Sequence, residues 1–402
     1  MKARSLSIGL LIALISFPQL SETIYTPALP EVAADLKATA YATEATLAIY
    51  FIGFALGVAI WGFISDGWGR RTTLLLGLGI YAIGSLACGK ASSVEALLAW
   101  RSLQAFGASV GSVITQTMIR DLYEGKRRAQ IFATIAGALA ISPAVGPLLG
   151  GYISELWGWR ANFTCLVVMA ACLTIWSWMK LPETRPLHVK RPSFCQLRQL
   201  LRQMMYSAPL WGHILLISST NGILFGFYEE GPFVFIEQLG LRPSQYGLLG
   251  LLIAGAMMIA AQLSYRLNQH SNPEQLIKAG AWLSTIGAGL FTLMVSLHLF
   301  DLSLSSMGVI LLALLAIFIG IGLIIPNSLS IAMKPYQAIV GTASSIFGGC
   351  YYILIAFFTW SMSLLHNGTA IPLALYMTAL GMTLLIGSYL VQKKSQCLAS
   401  LS

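Results

Sequence analysis

Gly62-Phe-Ile-Ser-Asp66-Gly-Trp-Gly69-Arg70-Arg71 joins two apolar stretches, 44–64 and 73–91. Each stretch is about 20 residues long, the length at which a helix crosses the hydrocarbon of a bilayer. A short turn between two such helices needs glycine for its geometry. Arg70 and Arg71 suit the anionic headgroups at the cytoplasmic surface. Asp66 can pair with an arginine or accept from a helix N-terminus. The cluster Gly62, Asp66, Gly69, Arg70 and Arg71 therefore reads as a conformational latch on the inner side, more particular than a plain positively charged turn.

Outward from this turn the same pattern repeats along all 402 residues. The chain is 56% hydrophobic and 10% charged, with a mean hydropathy of +0.75, against about 25% charge in a soluble domain. So few charges cannot cover a soluble fold, which excludes a cytosolic enzyme, a disordered chain and a secreted disulfide scaffold. Apolar stretches predict spans near 6–27, 44–64, 73–91, 95–118, 129–153, 160–180, 209–237, 245–265, 276–299, 306–330, 338–363 and 370–391. The first holds Pro18, Glu22 and Pro27 without a small-residue cleavage site, so it is expected to be retained.

The charges orient these spans. With the N-terminus inside, nineteen of the 24 Lys and Arg fall in inner segments. Only Lys37, Lys90, Arg160 and Arg242 fall outside, and Arg101 lies within a span. This bias predicts cytoplasmic termini and an even span count, and it explains the net charge of +9 without a nucleic-acid partner. The longest inner connection carries Pro182, Pro186, Pro192 and a group of Arg and Lys. The predicted plan is an all-α polytopic membrane protein with twelve transmembrane helices: a six-helix bundle over 1–180, a basic cytoplasmic linker over 181–208 and a second six-helix bundle over 209–402. Proteins of this plan hold substrate between bundles near the bilayer midplane.

Few residues can do chemistry inside the spans. Arg101 must find acceptors, because a charge in hydrocarbon costs roughly 2.5–3.5 kcal/mol on insertion scales. Gln104, one turn on, shares its face. Arg101 reads either as part of a proton-exchange site or as a hub bonded to backbone carbonyls. Three carboxylates are read as lying inside spans: Glu22, Glu229 and Glu230. Burial favours the protonated form of a carboxylic acid, so such a group can carry a proton. Glu229 and Glu230 precede Gly231-Pro232, where a helix loses a hydrogen bond. As neighbours they cannot share one face, and the pair could instead lie in water at the outer end of the span. Tyr25, Tyr50, Phe227 and Tyr228, by their proximity to the carboxylates, are expected to line a substrate cavity together with Gln104.

The six cysteines form no C-x-x-C pair and read as packing residues. The five histidines are not at metal-ligand spacing, and no nucleotide-binding loop or nucleophile motif occurs. No metal, cofactor, ATP-driven transport or enzymatic activity is expected.

The turn resembles the signature loop of the major facilitator superfamily. Three further strings resemble motifs of that family: Arg101-Ser-Leu-Gln104-Ala-Phe-Gly107; Gly137-x5-Pro143-x2-Gly146-Pro147-x2-Gly150-Gly151, similar to its antiporter motif; and Thr23-Ile-Tyr25-Thr-Pro27-Ala-Leu29-Pro30. Together they resemble the twelve-span drug:proton antiporters, the Bcr/CflA branch above all. Asp121-Leu-Tyr-Glu124 and Pro182-Glu-Thr-Arg-Pro186 add to that likeness, whereas Tyr265-Arg-Leu-Asn-Gln after span eight is a degenerate copy of the turn. The resemblance implies that Arg101 assists proton exchange with a carboxylate. It also implies that Gly137, Pro143, Gly146, Pro147, Gly150 and Gly151 pack against span eight, near Gly247, Gly250 and Gly255, and seal the resting cavity. The family often has an aspartate where this chain has Thr23. Glu22 stands one residue early, a turn of about 100° on a helix.

The expected function is proton-coupled export of amphipathic drugs or toxic compounds by a bacterial inner-membrane antiporter. Its partners are a small-molecule substrate, protons and the lipid bilayer, and it is expected to act as a monomer. The same fold could instead carry a metabolite such as an amino acid, a siderophore or a sugar. A membrane receptor or enzyme would need a large extramembrane domain or a catalytic constellation, and the sequence offers neither.

Overall fold

A computed structural model describes residues 7–185, 194–269, 271–297, 299–300 and 303–399. These are helical, with no strand among the described residues. Helix is the expected outcome, because an apolar stretch in a bilayer must satisfy its backbone within itself. The chain divides into two compact units: Met1–Val189 with Gly240–Leu251, and Lys190–Leu239 with Leu252–Ser402.

The first unit contains α1 (Ile8–Thr23), α2 (Leu29–Asp35), α3 (Ala40–Trp68), α4 (Arg70–Gly89), α5 (Val94–Leu122), α6 (Gly125–Trp157) and α7 (Trp159–Lys180). Then follow α8 (Phe194–Met205), α9 (Ala208–Pro232), α10 (Pro243–Leu267), α11 (Pro273–Ser296), α12 (Leu304–Ala332), α13 (Val340–Leu365) and α14 (Ile371–Ala399). Helix α10 contributes its first turns to the first unit and the remainder to the second.

Among the described residues, ten helical segments are long and apolar enough to cross a membrane. Helices α5 and α6 match these in length but are not among those ten. Helix α5 is set apart by buried polar residues, among them Arg101, Gln104, Ser109 and Thr115, and α6 includes side chains outside the described residues. The first span runs further than the expected 6–27. A 3-10 turn over Thr26–Ala28 links α1 to α2, and the whole reaches Asp35. Pro27 and Pro30 lack an N–H but fit the first turn of a helix, so each restarts the helix it interrupts. Likewise α9 passes Pro232 into a π-helical turn, Phe233–Gln238.

Capping sets several helix starts. Thr39, Ser93 and Ser303 accept from Ala42, Ala96 and Ser306 N–H groups. In the first unit α5 packs against α3 and α4, and α1 against α5 and α6. In the second, α9 packs against α12, α13 and α14, and α11 against α12 and α14. The approach to α5 is close because Gly53 of α3 lies against the Ser102 carbonyl and Gly84 of α4 against the Gln104 backbone. Helix α5, which carries Arg101, is thereby held among its neighbours.

Candidate functional site

The centre of the first unit is built on Arg101, which is fully buried. Its Nη1 donates to Gln104 Oε1 at 2.6 Å and to the Ser21 carbonyl at 3.3 Å. Gln104 Nε2 donates in turn to Ser85 Oγ at 2.8 Å, and Ser85 Oγ to the Tyr81 carbonyl. The guanidinium carbon lies 4.3 Å from the ring centroids of both Tyr25 and Tyr50, with Phe163 at 6.0 Å. The cation is thus held between two aromatic faces, an arrangement that gains when water is excluded. Tyr25 and Tyr50 are fixed by hydroxyl contacts to Thr46 Oγ1 and to the Pro18 carbonyl. Arg101 Nε and Nη2 make no hydrogen bond among the described residues.

Glu22 is 4% exposed, and Arg101 is the cation whose charge acts on it. The next residue points elsewhere. Thr23 donates back to the Gln19 carbonyl, and its hydroxyl lies where a Cβ on Gly146 would sit. At the position where the resemblance leads one to expect an acid, this chain packs a threonine on α6, and the acid one residue earlier is buried in the same unit as Arg101. One further carboxylate escaped the reading: Glu44, placed at the end of a span, is fully buried on α3.

At the turn between α3 and α4, Gly69 adopts φ +92°, where a side chain is strained. Gly62 lies within α3 and a Cβ there would meet nothing within 4 Å, so the turn does not need glycine at that position. The expectation that Arg70 reaches headgroups is corrected: Arg70 is 5% exposed. Its Nη1 pairs with Asp66 at 2.6 Å and with Ser65 Oγ, and its Nε pairs with Asp121 at 3.2 Å. Two carboxylates and a hydroxyl satisfy it, so it has no need of lipid. Arg71 turns to the end of α7, donating to the Trp178 carbonyl with its guanidinium over that ring.

Glu183, which the reading left without a role, accepts from the Arg70 and Arg71 backbone N–H groups at 2.8 and 3.2 Å. An anion at the unsatisfied N–H groups of α4 complements the helix dipole. Arg185 donates to the Gly67 carbonyl, closing the segment after α7 over the turn. Asp121 and Glu183 both lie in strings quoted above for their likeness to the Bcr/CflA branch. Their spatial meeting with Arg70 was invisible at separations of 51 and 113 residues.

The glycines of α6 have assigned neighbours. Gly150 lies against the Ile24 carbonyl, Gly151 against the Pro243 carbonyl and Gly146 against Thr23. Pro147 meets Gly247 on the first turns of α10. The motif therefore packs on the end of α1 as well as on the start of α10, while Gly255 has nothing within 4 Å. Gly137 and Pro143 lie on α6, outside the residues whose surroundings are described.

In the second unit, Glu229 and Glu230 are both fully buried, which removes the water-exposed alternative. Glu230 meets His366 Nδ1 at 3.0 and 2.9 Å through its two oxygens, and the imidazole packs edge-on against Phe233. His366 follows α13 and was not a candidate on sequence. As adjacent residues on a helix, the two acids must point apart. Phe227 packs within this unit against Phe235 and Phe318, both at 5.7 Å, and Tyr228 against Phe225. Where the degenerate copy of the turn falls, amides and a hydroxyl bond to one another. Asn327 Nδ2 donates to Ser264 Oγ and its Oδ1 accepts from Asn268, beside a cavity of about 220 Å³.

Cys88, Cys165, Cys172 and Cys350 are free thiols, and Cys195 and Cys397 lie outside the residues with described side chains.

Spanning helices in two units, with carboxylates and arginines buried among them, define a polytopic membrane transporter. Residues 11–359 match the model of the Major Facilitator Superfamily, and the chain belongs to that family. It is a transporter, not an enzyme. It is 34% identical to an uncharacterized transporter of Rickettsia bellii (strain RML369-C) over 90% of each chain. It is 27% identical to multidrug resistance protein D of Escherichia coli (strain K12), over 94% of this chain and 93% of that one. The solved D-xylose-proton symporter superposes with a TM-score of 0.76 at 15% identity, over 96% of each chain, a likeness of fold.

Proposed function

We propose that this transporter is a proton-coupled antiporter that exports amphipathic, cationic or neutral toxic compounds by alternating access. The observation that carries this reading is the burial of Glu22 and Arg101 in one unit, with the rings of Tyr25 and Tyr50 each 4.3 Å from the guanidinium. A buried acid beside a fixed cation can exchange a proton when substrate or water competes for the same space. Aromatic walls accept varied apolar ligands. The similarity to multidrug resistance protein D, within the Bcr/CflA likeness of the motifs, supports drugs as cargo.

In this reading Glu22 carries the proton with the assistance of Arg101, Gln104 lines the substrate cavity with Tyr25, Tyr50, Phe227 and Tyr228, and Glu229 and Glu230 act as counter-charges for cationic substrates. Asp66, Arg70 and Asp121 latch the inner side. The glycine and proline run of α6 seals the cavity against proton leak. The rocking bodies are bundles over 1–180 and 209–402 joined by the basic segment 181–208. The protein works as a monomer in the bacterial inner membrane with both termini cytoplasmic, as the excess of Lys and Arg on the assigned inner side supports.

Everted vesicles carrying the protein test this function. A fluorescent cationic dye should accumulate when an acid-inside gradient is imposed and should leave when the gradient is collapsed. Equal accumulation with and without a pH gradient would refute proton coupling.

A further inference from the structure

Helix α8 (Phe194–Met205) precedes α9 by only two residues, Tyr206 and Ser207. Since α9 is a membrane span, α8 stands no further than about one helical turn from the bilayer boundary. One of its columns is fixed by protein: Leu200 and Met204 are buried in a cluster with Leu210, Ile214 and Phe347. At about 100° per residue, the next column around the helix is Leu201 and Met205, which are 38% and 64% exposed. Beyond it stand Arg198 and Arg202, both exposed, and then Gln199 and Gln203. Trp211, on the first turn of α9, donates its indole N–H to the Met205 carbonyl at 2.9 Å and keeps part of its ring exposed.

An exposed apolar column flanked by a basic one matches the boundary between acyl chains and phosphates. Arginine matches phosphate oxygens through its planar fork, and an indole with one polar edge sits at that depth. The charge also selects among lipids, because two guanidiniums one turn apart carry no neighbouring acid on this helix.

We propose that α8 is a binding site for anionic phospholipid headgroups, with Leu201 and Met205 in the acyl boundary and Arg198 and Arg202 on the phosphates. It anchors the segment joining the two units to the bilayer surface. The proposal does not depend on what the protein transports.

The full chain in phosphatidylcholine nanodiscs containing phosphatidylglycerol tests it, with one lipid or the other brominated at equal mole fraction. The Trp211 contribution is the quenching of wild-type fluorescence minus that of Trp211→Phe. Brominated phosphatidylglycerol should quench this component at least about twofold more than brominated phosphatidylcholine. In the Arg198→Gln/Arg202→Gln double variant the ratio should fall to one, with folding intact because both positions are exposed. Equal quenching by the two lipids in the wild type, no quenching by either, or an unchanged ratio in the double variant would each overturn the proposal.

Discussion

His366 Nδ1 meets both carboxylate oxygens of Glu230, at 3.0 and 2.9 Å, across 136 residues of chain. The carboxylate is fully buried, so its hydrogen bonds come from protein. Removing one partner of a buried polar pair costs about 1–3 kcal/mol, whereas removing both costs less. His366→Leu is therefore expected to destabilise the protein by about that amount, with Glu230→Met on the same background recovering part of it. Thermal unfolding of the two single variants and the double variant in detergent gives the coupling. Additive effects would show that the contact carries no energy.

Tyr50 offers Arg101 a ring face and the Pro18 carbonyl a hydroxyl. The ring is the larger contribution if the cation–π contact is worth about 2 kcal/mol in a dry site. Tyr50→Phe should then transport nearly as the wild type, and Tyr50→Leu should lose roughly tenfold or more in rate. Initial efflux rates at matched expression decide it. Equal losses in the two variants would place the effect in the hydroxyl.

Asp66 and Asp121 share Arg70, and Glu183 caps the helix that begins with it. Asp66→Asn should leave insertion intact and slow transport severalfold, because a charge-assisted bond becomes a neutral one of about half the strength. Glu183→Gln is expected to act in the same direction through the N–H groups of α4. Normal transport by well-inserted Asp66→Asn protein would mean that the turn has a topological role only.

The glycines separate by the space around them. A Cβ at Gly150 collides with the Ile24 carbonyl, a backbone atom that cannot swing aside. Gly150→Ala should cost about 1–3 kcal/mol or more through displacement of α1 from α6. Gly62→Ala meets nothing within 4 Å and, lying in a helix, should be neutral or slightly stabilising. Unfolding temperatures of the two variants should therefore move apart. A loss at Gly62 comparable to that at Gly150 would require a role for Gly62 beyond packing.

These cases show what the amino-acid order made legible. Span positions, the Arg101–Gln104 face and the Asp66–Arg70 pair follow from helical spacing over three or four residues, and the structure has them at bonding distance. The partners Asp121, Glu183 and His366 come from 51, 113 and 136 residues away, where periodicity carries no information. Gly62 and Gly69 looked alike as letters, and only backbone φ and neighbouring atoms separate them. At Glu44 a charge near the expected span boundary reads as solvated, whereas α3 begins four residues earlier and buries it.

The assignment of the proton to Glu22 turns on helical phase. Thr23 is committed to the Gln19 carbonyl and to Gly146, so the position at which the resemblance leads one to expect an acid faces α6 here. Glu22 is instead the acid acted on by Arg101, inside a ring of protein that leaves it 4% exposed. Glu22→Gln preserves shape and hydrogen-bonding capacity but cannot titrate. It should still bind a lipophilic ligand with wild-type affinity, yet ligand addition to purified protein should no longer release protons, and efflux should lose its response to an imposed pH gradient. Glu229→Gln and Glu230→Gln should each weaken transport of cations and spare neutral substrates. Proton release measured with a pH-sensitive dye in weak buffer, beside gradient-driven efflux, distinguishes the two assignments. If Glu22→Gln releases protons normally while a span-seven variant does not, the proton belongs to α9, and the Glu22–Arg101 pair is a structural one.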